Sequence, residues 1–63
     1  MKITKNNADE MTTFSVNDDE ARAISNALNE SLELIEDWEY ETRMGVSKEE
    51  VIRLLDEFRE FRK

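Results

Sequence analysis

The sequence predicts an α+β fold, a β-hairpin at the amino terminus followed by two main helices and a short linking helix. Three observations predict it. Two short runs rich in β-branched and aromatic residues flank a polar stretch of turn formers within the first 16 residues. Two longer segments then place apolar residues three and four apart, and each opens on a side chain suited to capping a helix. One glycine and no proline leave few points at which helices are broken.

The hairpin is expected over residues 1–16. Lys2-Ile3-Thr4-Lys5 and Met11-Thr12-Thr13-Phe14-Ser15-Val16 are the strand runs, and Asn6-Asn7-Ala8-Asp9-Glu10 is the turn. Phe14 and Val16 share a face by the two-residue period. A two-stranded hairpin is marginal in water, so that face is expected to pack on a helix or meet another strand. The alternative is a mostly α chain with a frayed amino terminus.

The first helix is expected over residues 17–35. Asn17 can accept from free backbone N–H groups, Glu20 stands at the third helical position, and Asp18 and Asp19 place negative charge at the positive end of the helix dipole. Ala21, Ile24, Ala27, Leu28, Leu32 and Ile35 line one face. The last helix is expected over residues 47–62. Ser47-Lys48-Glu49-Glu50 reads as a capping box, with Val46 and Val51 as the ends of a hydrophobic staple. Val51, Leu54, Leu55, Phe58 and Phe61 form its buried stripe, Ile52 flanks it, and Arg59, Arg62 and Lys63 suit the negative end of the dipole.

Residues 38–44 support two readings. Trp38, Tyr40, Thr42 and Met44 alternate with charged residues as in a strand, while Tyr40 and Met44 are also four apart and Gly45 stands where a helix would end. A short helix is the favoured reading, and a strand joining the hairpin is the alternative.

Composition removes whole classes of function. The 63 residues have no cysteine and no histidine, which excludes disulfides, the usual zinc sites and the common nucleophile and base pairs. No catalytic residue, cofactor-binding residue or metal ligand stands out. No Asp-x-Asp-x-Asp-Gly loop is present for calcium, and so short a chain has little room for a substrate cleft. Nine bases against sixteen acids, a net charge of −7, oppose phosphate-backbone binding. No run of 18 apolar residues or hydrophobic leader is present, so a cytoplasmic location without membrane contact is expected.

Met44-Gly45-Val46-Ser47, followed by Val51 and Leu54, fits the turn of a DNA-binding helix-turn-helix in shape. Its chemistry opposes that use, because Glu49 and Glu50 stand where bases and phosphates would be met. The charge excess lies wholly before Gly45, and from Glu30 to Glu41 there are six acids and no base: Glu30, Glu33, Glu36, Asp37, Glu39 and Glu41. Such a surface either steers a basic partner or keeps a small chain dispersed. Phe14, Trp38, Tyr40 and Arg43 are the candidate interface residues, the aromatics as anchors and Arg43 as a tie to Glu39 or Glu41. The aromatics Trp38 and Tyr40 serve equally as the floor of a small core.

Asn26-Ala27-Leu28-Asn29-Glu30, followed by Trp38-Glu39-Tyr40-Glu41-Thr42-Arg43-Met44-Gly45-Val46-Ser47-Lys48-Glu49-Glu50, resembles a group of small uncharacterised bacterial proteins. These share an Ala-Leu-Asn-Glu helix, a Glu-aromatic-x-Thr-Arg-x-Gly segment and a Ser-x-Glu-Glu helix start. The likeness implies a bacterial origin and a recurring fold and brings no activity with it. This chain departs from the group in having Leu32 to Ile35 where a glycine follows the first helix.

The functional expectation is a non-enzymatic protein-interaction module that pairs with itself as a homodimer, since so small a core gains much from association. Phe14, Trp38, Tyr40 and the outer edge of the last helix are the expected contact. One alternative is an acidic inhibitor, of the immunity or antitoxin type, of a basic enzyme or toxin. The other is DNA binding through the helical corner, which the carboxylates oppose.

Overall fold

The computed structural model describes residues 1–61. Strands β1 (Lys2–Asn6) and β2 (Met11–Ser15) form an antiparallel hairpin, with Ile3 opposite Phe14 and Thr4 opposite Thr13. Its turn is built by side chains. Asn6 Oδ1 accepts from the Ala8 N–H at 3.0 Å, and Asp9 Oδ1 accepts from the Met11 N–H at 3.0 Å, while Glu10 takes the left-handed region at φ 59°.

Helix α1 (Asp18–Leu34) starts on a complete capping box at Asn17 and Glu20. Asn17 Oδ1 accepts from the Glu20 N–H at 2.8 Å, and Glu20 Oε1 accepts from the Asn17 N–H at 2.9 Å. The box expected at Ser47 is half formed. Ser47 Oγ accepts from the Glu50 N–H at 3.2 Å, but the Glu50 carboxylate turns instead to Arg53, a charged donor within reach one turn on. The chain leaves α1 without a glycine, because Ile35 and Glu36 adopt extended backbone and redirect it into a 3₁₀ turn, Asp37–Glu39.

The segment around Tyr40 is helical, as the four-residue spacing predicts. Helix α2 (Tyr40–Met44) is five residues long and ends at Gly45, whose φ of 81° is the left-handed cap that a side chain resists. Helix α3 (Lys48–Phe61) returns along α1. The expected contribution of Arg62 and Lys63 lies outside the described residues.

Tyr40, Val51 and Leu55 are the buried apolar residues among those described, with Leu28, Leu32, Ile35 and Met44 packed around them. Two buried residues on α1 are serines, Ser25 and Ser31, and Ala27 is exposed. Each helical residue advances ~100°. Ala27 therefore lies a quarter-turn off the line through Leu28, whereas Ser31 falls beside Leu32 on the buried side.

Two further expectations are corrected. Phe61 does not continue the buried stripe of α3 but is 88% exposed, because the last turn of α3 borders an open groove rather than a packed neighbour. The hairpin does not pack its apolar face on a helix either: every residue of both strands is exposed, Phe14 at 59%.

Candidate interaction surface

The hairpin face that carries Phe14 also carries Met1, Ile3 and Val16, since residues two apart and residues paired across the strands share a side. Met1, Ile3 and Phe14 are exposed and Val16 is half-buried. Beyond them lies a groove of about 760 Å³, bordered by Phe14 and Val16 of the hairpin, Ala21 of α1, and Phe58 and Phe61 of α3. The hairpin is tethered to the helices at its base, where the Met1 amino group lies 3.0 Å from Glu20 Oε2. The Asn17 backbone N–H, and after it that amino group, hold the Glu20 carboxyl below the usual carboxylate range.

Trp38 is 82% exposed but belongs to a different place. It borders a smaller cleft of about 360 Å³ with Leu32, Ile35 and Lys48, at the far end of α1 from Phe14. The α1 residues that border the two sites, Ala21 and Leu32, are about 17 Å apart along the helix, so the sites do not form one patch. Tyr40 is corrected outright as an interface anchor, because at 1% exposure it is part of the core of its own chain. On a helical turn residues 38 and 40 lie ~200° apart, so only one of the pair can face inward. Arg43 is exposed and its Nε lies 3.1 Å from Glu39 Oε1, which decides between the two acids expected to hold it.

Among the acidic residues, Asp37 is held by Lys48, an ion pair that raises the lysine above its ordinary range and fastens the 3₁₀ turn to the start of α3. Glu30, Glu33, Glu36 and Glu41 are exposed and form no ion pair among the described residues. No group of three or more carboxylates among the described residues is arranged to hold a metal ion. No described helix is long and apolar enough to cross a membrane.

Comparisons with protein-family models, curated proteins and solved structures gave no match. That outcome is consistent with the resemblance to a group that has no assigned activity.

Charge and surface area separate the two ends of the molecule. Residues 1–17 carry two bases and two acids, residues 45–63 five of each, and residues 18–44 nine acids and two bases. Both walls of the Phe14 groove thus belong mainly to charge-balanced segments, and the excess of −7 lies on α1 and the turn after it. The accessible surface is 5372 Å², against about 4,250 Å² for a compact monomer of this mass. The radius of gyration is likewise large, 13.1 Å against about 11 Å. An excess near 1,100 Å² is of the order that one partner gives to a standard protein interface, about 800 Å².

Sequence reasoning found Phe14 and missed Met1, Ile3, Phe58 and Phe61 as members of this surface. A signal for Ile3 was present, since hairpin pairing places it across from Phe14. None existed for Phe61, whose spacing marks it as apolar stripe and says nothing of what it meets.

Proposed function

We propose that this chain is a non-enzymatic interaction module that associates with a second copy of itself through the hairpin and the groove beside α3. The observation that carries the reading is the surface excess, together with Met1, Ile3 and Phe14 exposed on one face of the hairpin and Phe61 exposed across the groove from Phe14. Four large apolar side chains exposed at one end of the molecule, with Asp18 and Arg22 as the charged residues that line the groove, favour an apolar partner surface over a charged one. The remaining candidate chemistry supports the same reading. The would-be DNA-reading helix opens on Glu49 and Glu50, and its first-turn lysine is already engaged by Asp37.

Sedimentation equilibrium at micromolar concentration tests the proposal. A mass of twice 7.5 kDa is expected, and a monomer throughout the range would overturn it.

A second reading is favoured by one observation, the four exposed acids Glu30, Glu33, Glu36 and Glu41 without ion-pair partners among the described residues. They suit the docking of a basic enzyme or toxin. Capture of a basic protein at low salt that is lost when Glu30, Glu33 and Glu36 are changed to glutamine would support it. Capture unaffected by those changes would count against it.

A further inference from the structure

Strand β2 has no charged residue from Met11 to Ser15, nor at Val16 beyond it, whereas β1 carries lysines at positions 2 and 5. Among the described residues the sheet holds two strands, so no described strand pairs with the outer edge of β2. Lysines on an edge strand oppose edge-to-edge pairing, and an uncharged run of threonine, phenylalanine and methionine permits it. One edge of this hairpin is therefore guarded and the other is open.

Resting on the self-association proposed above, we infer that two copies join by antiparallel pairing of β2 with β2 across a two-fold axis at Thr13, making a four-stranded sheet. The register follows from the strand. Centring on Thr13 places Met11 opposite the second copy's Ser15 and Thr12 opposite its Phe14, and it alone uses all five residues of each strand. Directly opposed residues share a face. With the axis perpendicular to the sheet, both Phe14 side chains lie on the side that borders each groove, diagonal to one another and within reach of aromatic contact. The helices of both copies then stand on that one side, a two-layer arrangement in which the apolar face gains cover. Pairing through β1 in the equivalent register, centred on Thr4, would instead set the two Lys5 side chains diagonally on one face, like charges within reach of each other.

Charge placement argues for a second copy as the occupant, because the segments that meet are balanced although the chain is not.

Single-cysteine variants test the geometry, helped by the chain's lack of any other cysteine. Opposed residues in an antiparallel pair stand about 4.5–5.5 Å apart at Cα, within the reach of a disulfide. Under mild oxidation Thr13→Cys is expected to cross-link to a dimer and Thr4→Cys, on the guarded edge, to stay monomeric on a non-reducing gel. In parallel, Thr13→Lys is expected to weaken association at least tenfold by sedimentation, and Thr4→Lys to change it less than twofold. A dimer that cross-links through Thr4→Cys, or through neither variant, overturns the strand pairing and leaves self-association standing. Indifference of the dimer to Thr13→Lys has the same meaning, and an unmodified chain that sediments as a monomer overturns both.

Discussion

The Tyr40 hydroxyl lies 2.7 Å from Ser31 Oγ, joining the short helix α2 to the last turns of α1 inside the core. Ser31 donates its own proton to the Leu28 carbonyl at 2.6 Å, which leaves Tyr40 as the donor to Ser31. The two hydroxyls are thereby satisfied in series, and removing them has unequal effects. Tyr40→Phe removes a donor and leaves Ser31 bonded to Leu28, with an expected cost of about 0.5–1.5 kcal/mol. Ser31→Ala strands the buried tyrosine hydroxyl and is expected to cost about 1–3 kcal/mol, offset by up to ~0.5 kcal/mol of better helix propensity. The double variant should lie nearer Tyr40→Phe than the sum of the two. Urea unfolding of the three variants measures this, and strict additivity would contradict the series arrangement.

Glu10 and Gly45 occupy the same left-handed backbone region, and only one of them suits it. Gly45→Ala is expected to destabilise by about 1 kcal/mol although an added Cβ would meet no atom within 4 Å, because the cost is in the backbone. Glu10→Gly or Glu10→Asn is expected to stabilise the hairpin turn by about 0.5–1 kcal/mol. Thermal melts with the signs reversed at either position would refute the assignment.

The stripe of α3 divides into residues that hold the monomer and a residue that faces out. Leu55→Ala should cost about 2–5 kcal/mol, a large share of the roughly 3–9 kcal/mol expected for a chain of this length. Phe61→Ser should change monomer stability by no more than about 0.5 kcal/mol while weakening self-association. Chemical denaturation paired with sedimentation separates the two effects. A large stability loss from Phe61→Ser would place that ring in the core.

Stability should fall on the acid side through Glu20. Its folded carboxyl titrates below its unfolded value, about 4.3, so its contribution is present above that pH and is lost as pH falls through the lowered folded value. Glu20→Gln is expected to flatten the acid limb of a urea-midpoint profile, and an unchanged limb would deny the coupling. Lys48 works in the opposite direction. Its raised folded value means that its pairing with Asp37 contributes below about pH 10.4 and is lost above the raised value, so Lys48→Met should flatten the alkaline limb.

Salt should distinguish the two functional readings. Apolar self-association of a chain with net charge −7 is expected to tighten as ionic strength rises from about 0.05 to 0.5 M, since screening relieves repulsion between copies. Binding of a basic partner to the acidic surface would weaken over the same range. Dimer dissociation constants measured across that range decide the matter.

The sequence by itself determined the element types, their order and most of their ends. Asn17 with Glu20, Ser47 with the Glu50 N–H, and Gly45 act within four residues of chain, so their effect is written locally. The helical reading around Tyr40 rested on the same short-range spacing. Tertiary structure alone decided which apolar residues are covered. Periodicity marks one side of an element as apolar, but burial needs a partner on that side, and the helices α1, α2 and α3 supply one to each other while the hairpin gets none. Hence Tyr40 turned inward while Trp38 stayed out, Val51 and Leu55 were covered while Phe61 was not, and Phe14 kept its apolar face open on a hairpin that no helix shields.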